Sequence, residues 1–327
     1  MGDAAGIGPE IVSKVLSMQE TCQYCRPIVI GDARVLNQSQ RVAHTTLDVH
    51  AVKHVSEARF IREAMDVIDL SNIKTDELRM GEAQAMAGGA SFEYVKKAVE
   101  LALDGEIDAI TTAPICKEAM RMAGVKYPGH TEILADMTGT KDFAIMFVSD
   151  TLKEILVTGH VSLRNAIDLV KKNSVLFAIR MAHESMKKFG KPHPRIAVAG
   201  LNPHAGEARM FGSEDAEEIA PAVDEAKRLG IDVVGPLPAD TVFYRAISGQ
   251  FDIVVAMYHD QGLIPIKLQG FDRAVNVTVG LPIIRTSPDH GTAYDIAGRG
   301  LGTANPASLL EAIKVASELS THKTHAQ

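Results

Sequence analysis

Short β-branched runs alternate with amphipathic stretches along the whole chain, and this alternation restricts the fold more than any other feature. Strands are expected at Pro27–Ile30, Leu47–Val52, Asp66–Leu70, Asp108–Thr112, Phe143–Val148, Glu154–Thr158, Arg195–Ala199, Phe251–Ala256 and Ala274–Val279. Between them, apolar residues recur at three- and four-residue steps over Pro9–Met18, Gly89–Leu103, Ser174–Phe189, Ser213–Leu229 and Pro306–Leu319, the spacing of helices that bury one face. Strand-helix-strand order implies a mostly parallel sheet with helices on both faces, so the expected class is α/β with α/β/α layers. At 327 residues one hydrophobic core does not suffice, and 46% hydrophobic residues supply two. No Pro/Gly/Ser linker cuts the chain, which predicts domains joined by several crossings.

The remaining bulk properties exclude function classes. The 34 basic and 41 acidic residues leave a net charge of -7 with no Lys/Arg block, which argues against a nucleic-acid partner. The longest apolar runs, such as Ile253–Met257, are strand-sized, so no membrane span and no membrane partner is expected. No basic-then-apolar leader follows Met1, and three cysteines cannot build a disulfide framework, so the expected compartment is the cytoplasm. Cys22-Gln-Tyr-Cys25 has redox or zinc spacing, but no second such pair exists and the segment reads as a helix-to-strand connection. The turn Gly2–Gly8 runs into a helix with Pro9 in its first turn, where a missing N–H does no harm. Such a turn normally follows a strand; none precedes it here, so the sheet is expected to lack one member.

Three groups of residues carry chemistry. His160, His204 and His259 each follow a predicted strand at its carboxyl end, the edge of an open α/β sheet where ligands bind. Three imidazoles brought there from three strands suit a divalent ion such as Zn, Co or Mn. The other histidines, among them His50 and His183, show no such context and read as surface residues. A second group is cationic and polar: Lys117, His130, Thr131, Lys267, Asn276 and Arg285. Arg285 follows the apolar run Leu281–Ile284, where desolvation requires an anionic partner such as a phosphate or carboxylate. The third feature is the loop Asp289-His-Gly-Thr-Ala-Tyr-Asp-Ile-Ala-Gly-Arg-Gly300, continuing to Asn305, whose small residues let backbone approach a planar ligand.

Several long blocks carry a resemblance: Gly2–Glu10, Tyr127-Pro-Gly-His-Thr-Glu132, Leu201-Asn-Pro-His-Ala-Gly-Glu207, Ala239-Asp-Thr241, Ala256-Met-Tyr-His-Asp-Gln-Gly262 and Asn276–Gly291. Through them the chain resembles the 4-hydroxythreonine-4-phosphate dehydrogenase family over nearly its whole length. The wider fold relatives are the isocitrate and isopropylmalate dehydrogenases, whose cofactor loop is similar to His290–Gly298. That relation implies a non-Rossmann NAD site, in keeping with the absence of a strand-borne G-x-G-x-x-G. The resemblance implies two domains with the active site in the cleft between them. Residues 1–128 plus 286–327 would form the cofactor side, and 129–285 the metal and dimer side.

Position by position, the resemblance makes His160, His204 and His259 the ligands of one divalent metal per site (Zn, Co, Mn or Mg). His130, Thr131, Lys267, Asn276 and Arg285 become substrate contacts, and His290, Gly291, Asp295 and Asn305 cofactor contacts. Lys117, Asp240 and Asp260 remain open as candidates for the catalytic base. The implied reaction is NAD-dependent oxidation of a small phosphorylated 3-hydroxy acid, then decarboxylation, in a homodimer whose active sites take metal ligands from both subunits. Val55–Phe60 and Gly88–Leu103 look more like the branch acting on D-threonate or D-erythronate 4-phosphate, with dihydroxyacetone phosphate and CO2 as products, than like the pyridoxal-phosphate biosynthetic branch. A metal-dependent hydrolase would use the same imidazoles but leave the Asp289–Gly300 loop without a purpose, and a non-catalytic sugar-acid phosphate sensor would bind ligand without reducing NAD.

Overall fold

The computed structural model describes residues 1–270 and 272–324. The chain forms two compact units: Met1–Lys141 with Leu281–Ser320, and Asp142–Gly280 with residues 321–324. These boundaries differ from those expected from the sequence, because residues 129–141 and 281–285 belong to the first unit. The reason is packing: the helix His130–Met137 buries Ile133 and Leu134 in the core built on the long helix Ala85–Leu103, together with Leu281 and Ile283.

In the first unit, β1 (Val29–Gly31), β3 (Ala64–Asp69) and β2 (Asp48–Val52) lie parallel in that order. β4 (Ala109–Thr111) pairs in parallel with β11 (Ile284–Pro288), Arg285 opposite Ile110. β11 has no counterpart among the expected strands, because Arg285-Thr-Ser-Pro288 is too polar to read as one. Its buried Thr286 hydroxyl finds a partner inside the unit, donating to the Ala312 carbonyl at 2.8 Å.

The second unit carries strands in the order β10-β5-β6-β9-β7-β8, namely Val275–Val279, Ala144–Val148, Lys153–Leu156, Ile253–Ala256, Ile196–Ala199 and Val233–Leu237. β5 is antiparallel to β10 and β6, and the others run parallel. Every residue of β7 and β9 is buried, as continuous apolar strands covered on both faces must be. Each full burial of an Ile or Val there contributes about 1.5–3 kcal/mol. β8 was not among the expected strands, since Gly235-Pro236 reads as a turn; among the described residues it pairs with β7 and ends the strand order, an edge position where a strand tolerates proline. The helix expected at Ser213–Leu229 is a π turn, Asp215–Ile219, followed by an α-helix, Ala220–Arg228. Pro221 has no N–H for the carbonyl one turn back and its ring crowds that turn, so the turn widens. Among the described residues no helix is long and apolar enough to cross a membrane.

Candidate functional site

In the second unit, two of the three expected metal ligands face one another. His160 is exposed just past β6, His259 opens the helix His259–Gln269 after β9, and their ring centroids are 5.3 Å apart. His259 Nδ1 lies 2.7 Å from Asp260 Oδ1, and a carboxylate on one ring nitrogen fixes the tautomer so that the other nitrogen presents its lone pair. The turn that carries His259 is held at several points. Met257 N–H donates to Gln261 Oε1 at 2.6 Å, Gln261 Nε2 donates to the Gly200 carbonyl at 2.7 Å, and the Thr158 hydroxyl donates to the Met257 carbonyl at 2.8 Å. Gly262 is required because a Cβ there would stand 2.6 Å from Glu154 Oε1, a carboxylate buried on β6.

His204 is presented differently. It begins a run of six residues, His204–Arg209, all with positive φ, five of them not glycine. Left-handed backbone costs an L-residue roughly 1–2 kcal/mol, so the turn persists only because its surroundings dictate it. Its ring lies 6.2 Å from that of Phe211. Among the described residues no group of three His, Cys, Asp or Glu side chains could hold a metal ion. His160 and His259 are thus brought together and His204 is not brought to them within one chain. The rest of this unit's candidates lie apart in sequence and environment: Asp240 is exposed in the first turn of the helix Ala239–Ile247, Lys267 is half-buried, and Asn276 on β10 has its side-chain oxygen sealed from solvent without a hydrogen-bond partner.

In the first unit, Arg285 is buried within β11 and donates to the Thr112 hydroxyl at 2.8 Å. Burial pushes its guanidinium down to about 10, and the charge of Glu132 works in the opposite direction. His130, the first residue of its helix, has Nε2 sealed from solvent without a hydrogen-bond partner. Burial, and then the positive charge of Arg285, lower its pKa well below the ordinary value, so the imidazole is neutral at pH 7. Thr131 follows, half-buried, and exposed Lys117 lies close by, its Cε 3.7 Å from where a Cβ on Gly129 would stand. A sealed imidazole nitrogen without a partner, beside a buried cation, is chemically suited to an anion. Glu132 and Thr112 were not singled out from sequence; position beside Arg285 is what marks them, and no local pattern reports it.

The loop 289–305 is fastened to the N-terminal turn and the helix Gly8–Ser17. Ile7 N–H donates to the Thr292 carbonyl at 3.0 Å and the Tyr294 hydroxyl to Asp3 Oδ2 at 3.0 Å. Further on, Ala304 N–H donates to Glu10 Oε1 at 2.9 Å, while Lys14 Nζ donates to the carbonyls of Gly302 and Ala304 at 2.7 and 2.8 Å. Gly6 is needed because a Cβ would meet Thr292 at 3.0 Å. Within the loop, His290 Nδ1 lies 3.1 Å from the Gly291 carbonyl and its Nε2 is sealed without a hydrogen-bond partner. Gly291, Asp295 and Asn305 are exposed, and Asn305 Oδ1 accepts from Ala307 N–H at the start of the last helix. Two histidines read as surface residues are half-buried instead: His50, with Nδ1 2.7 Å from buried Asp66, and His183.

The model of the family described as "Pyridoxal phosphate biosynthetic protein PdxA" matches residues 23–316. A D-threonate 4-phosphate dehydrogenase of Cupriavidus necator is 49% identical over 99% of this chain and 96% of its own length. Among solved structures, a 4-hydroxythreonine-4-phosphate dehydrogenase from Klebsiella pneumoniae is similar at a TM-score of 0.91 and 44% identity, covering 98% of this chain and 96% of its own. One from Burkholderia phymatum gives 0.87 and 48%, with the same coverage. The chain therefore belongs to the PdxA family, and with it to the dehydrogenases.

Proposed function

We propose that this chain oxidises and decarboxylates a four-carbon 3-hydroxy acid phosphorylated at C4, D-threonate or D-erythronate 4-phosphate, with NAD and one divalent metal ion. The observation that carries the reading is the unsatisfied His130 imidazole beside buried Arg285, a pair with capacity for a phosphate or carboxylate. The Cupriavidus relative, named for D-threonate 4-phosphate, favours the first substrate.

The donor set suits the metal: His160 and His259 face each other, and Asp260 orients His259. When bound, the ion supplies Lewis acidity to the C3 hydroxyl and to the ketone that replaces it, and NAD accepts the hydride. The chain's own residues do the rest. Arg285, His130 and Thr131 hold the anionic end of the substrate, while Lys267 and Asn276 orient the remainder, fixing which carbon gives up its hydride. Neutral His130 donates a hydrogen bond without a competing charge. Asp260 is already engaged with His259, so we assign the base to Lys117, whose Cε lies against the Gly129–His130 turn. The His290–Gly298 loop, held by Ile7 and Asp3, receives the cofactor. The third imidazole, His204, reaches the metal from a second copy of the chain. Large apolar side chains exposed close in sequence to all three histidines, Val161, Leu163, Met210, Phe211, Ile264 and Leu268, give that copy a surface to cover.

The test is turnover with NAD, a divalent metal and each candidate acid phosphate, recording NADH and CO2 together. Equal rates of both with D-threonate or D-erythronate 4-phosphate, abolished by chelation, are expected. NADH only with 4-hydroxythreonine 4-phosphate would assign the chain to the biosynthetic reaction instead. Mixing separately inactive His160→Ala and His204→Ala chains should restore activity in mixed dimers, since one of the two sites then collects an intact set; failure despite mixed-dimer formation would return each metal to a single chain.

A further inference from the structure

We propose that Asp215 is a positioning residue that imposes the left-handed turn His204–Arg209 and so aims the His204 imidazole at the metal. The inference rests on the reading of His204 as a metal ligand. Asp215 is buried at the start of the π turn Asp215–Ile219. Its Oδ1 accepts from Leu201 N–H at 2.8 Å, and its Oδ2 accepts from Asn202 N–H at 3.1 Å and from Asn202 Nδ2 at 2.9 Å. One carboxylate thereby takes three donors from the two residues that lead from β7 into the turn.

The backbone closes around that carboxylate. A Cβ on Gly200 would stand 2.8 Å from Asp215 Oδ1, and one on Gly206 would stand 3.4 Å from Asp215 Oδ2, so the chain passes the acid both before and within the turn. Asn202 is shared with Glu214, whose Oε2 accepts from Nδ2 at 2.8 Å. The turn closes short backbone hydrogen bonds of its own, Glu207 N–H to the His204 carbonyl at 3.3 Å and Phe211 N–H to the Gly206 carbonyl at 3.2 Å, yet five of its six residues are L-residues held at φ between 36° and 73°, a conformation that is costly unless the surroundings enforce it. Asp215 opens the π turn from which it reaches residues 201 and 202, and π turns are frequent at functional sites.

The experiment measures metal binding to the full-length protein by competition for Zn²⁺ or Mn²⁺ with a chromophoric chelator. Asp215→Asn should weaken the metal about 10–100-fold, the range for an outer-shell partner, while the KM for NAD stays unchanged because the cofactor loop belongs to the first unit. Adding Ala205→Gly to Asp215→Asn should recover most of the loss, since glycine takes positive φ without enforcement. A role confined to general stability would not respond to glycine at that one position. Where Asp215→Asn does not fold, Asn202→Ala removes only the side-chain donor and should weaken the metal several-fold. Wild-type metal affinity in Asp215→Asn or in Asn202→Ala overturns the proposal, as does a loss that Ala205→Gly does not recover. Wild-type affinity in His204→Ala overturns both this proposal and the metal-ligand reading beneath it.

Discussion

The Arg285–His130 corner of the first unit and the histidine surface of the second are built on opposite principles. Arg285 is buried within a strand, His130 keeps one nitrogen out of solvent, and the adjoining loop is tied down at Ile7, Asp3, Glu10 and Lys14. His160 and His204 stand exposed beside large exposed apolar side chains, and among the described residues no three-ligand group exists. A buried cation must be held in place in advance, because desolvation without partners is costly. Imidazoles carry no such penalty when neutral, and can wait in solvent for a partner chain. On the proposed function, the difference separates what one chain prepares alone from what a second copy would complete.

Breaking the assembly should have the largest effect. Ile264→Glu with Leu268→Glu places two charges on the exposed face of the helix His259–Gln269, and the expected product is a monomer whose metal affinity falls at least about 100-fold, since losing a ligand costs more than losing an outer-shell partner. Sedimentation and chelator competition check this; a monomer that binds metal normally would erase the contrast between the two regions. The buried corner should fail differently. Arg285→Ala removes charge-assisted hydrogen bonds of about 2–3 kcal/mol, so the KM for the phosphorylated acid should rise roughly 30- to 150-fold, with metal affinity unchanged by the same competition assay. A similar rise for a dephosphorylated analogue would assign Arg285 to the carboxylate. The smallest effect is expected at the loop. Tyr294→Phe deletes one hydrogen bond to Asp3, about 1 kcal/mol, and should raise the KM for NAD roughly five-fold while leaving that for the acid alone. Equal effects on both would mean that the loop is fastened for stability rather than for the cofactor.

Much of this was legible in the sequence where the signal is local. The apolar run Ile253-Val-Val-Ala256 announces a strand covered on both faces, and the placement of His160 and His259 at the ends of β6 and β9 follows from reading those strands. β8 and β11 were missed because Gly235-Pro236 and Arg285-Thr-Ser are locally unlike strands; edge position permits the first, and partners such as Thr112 and Ala312 permit the second.

The sequence by itself determined the α/β class, the family and the residue types of the site, because periodicity and motif are properties of neighbouring positions. Only the tertiary structure decided that His130, with Nε2 sealed from solvent, stands beside buried Arg285, that Glu132 bears on Arg285, that residues 129–141 join the first unit, and that Asp215 faces the turn before His204. Each of these depends on which side chain is desolvated beside which charge or amide, and such energies arise between residues far apart in sequence that only the folded chain brings within hydrogen-bonding distance.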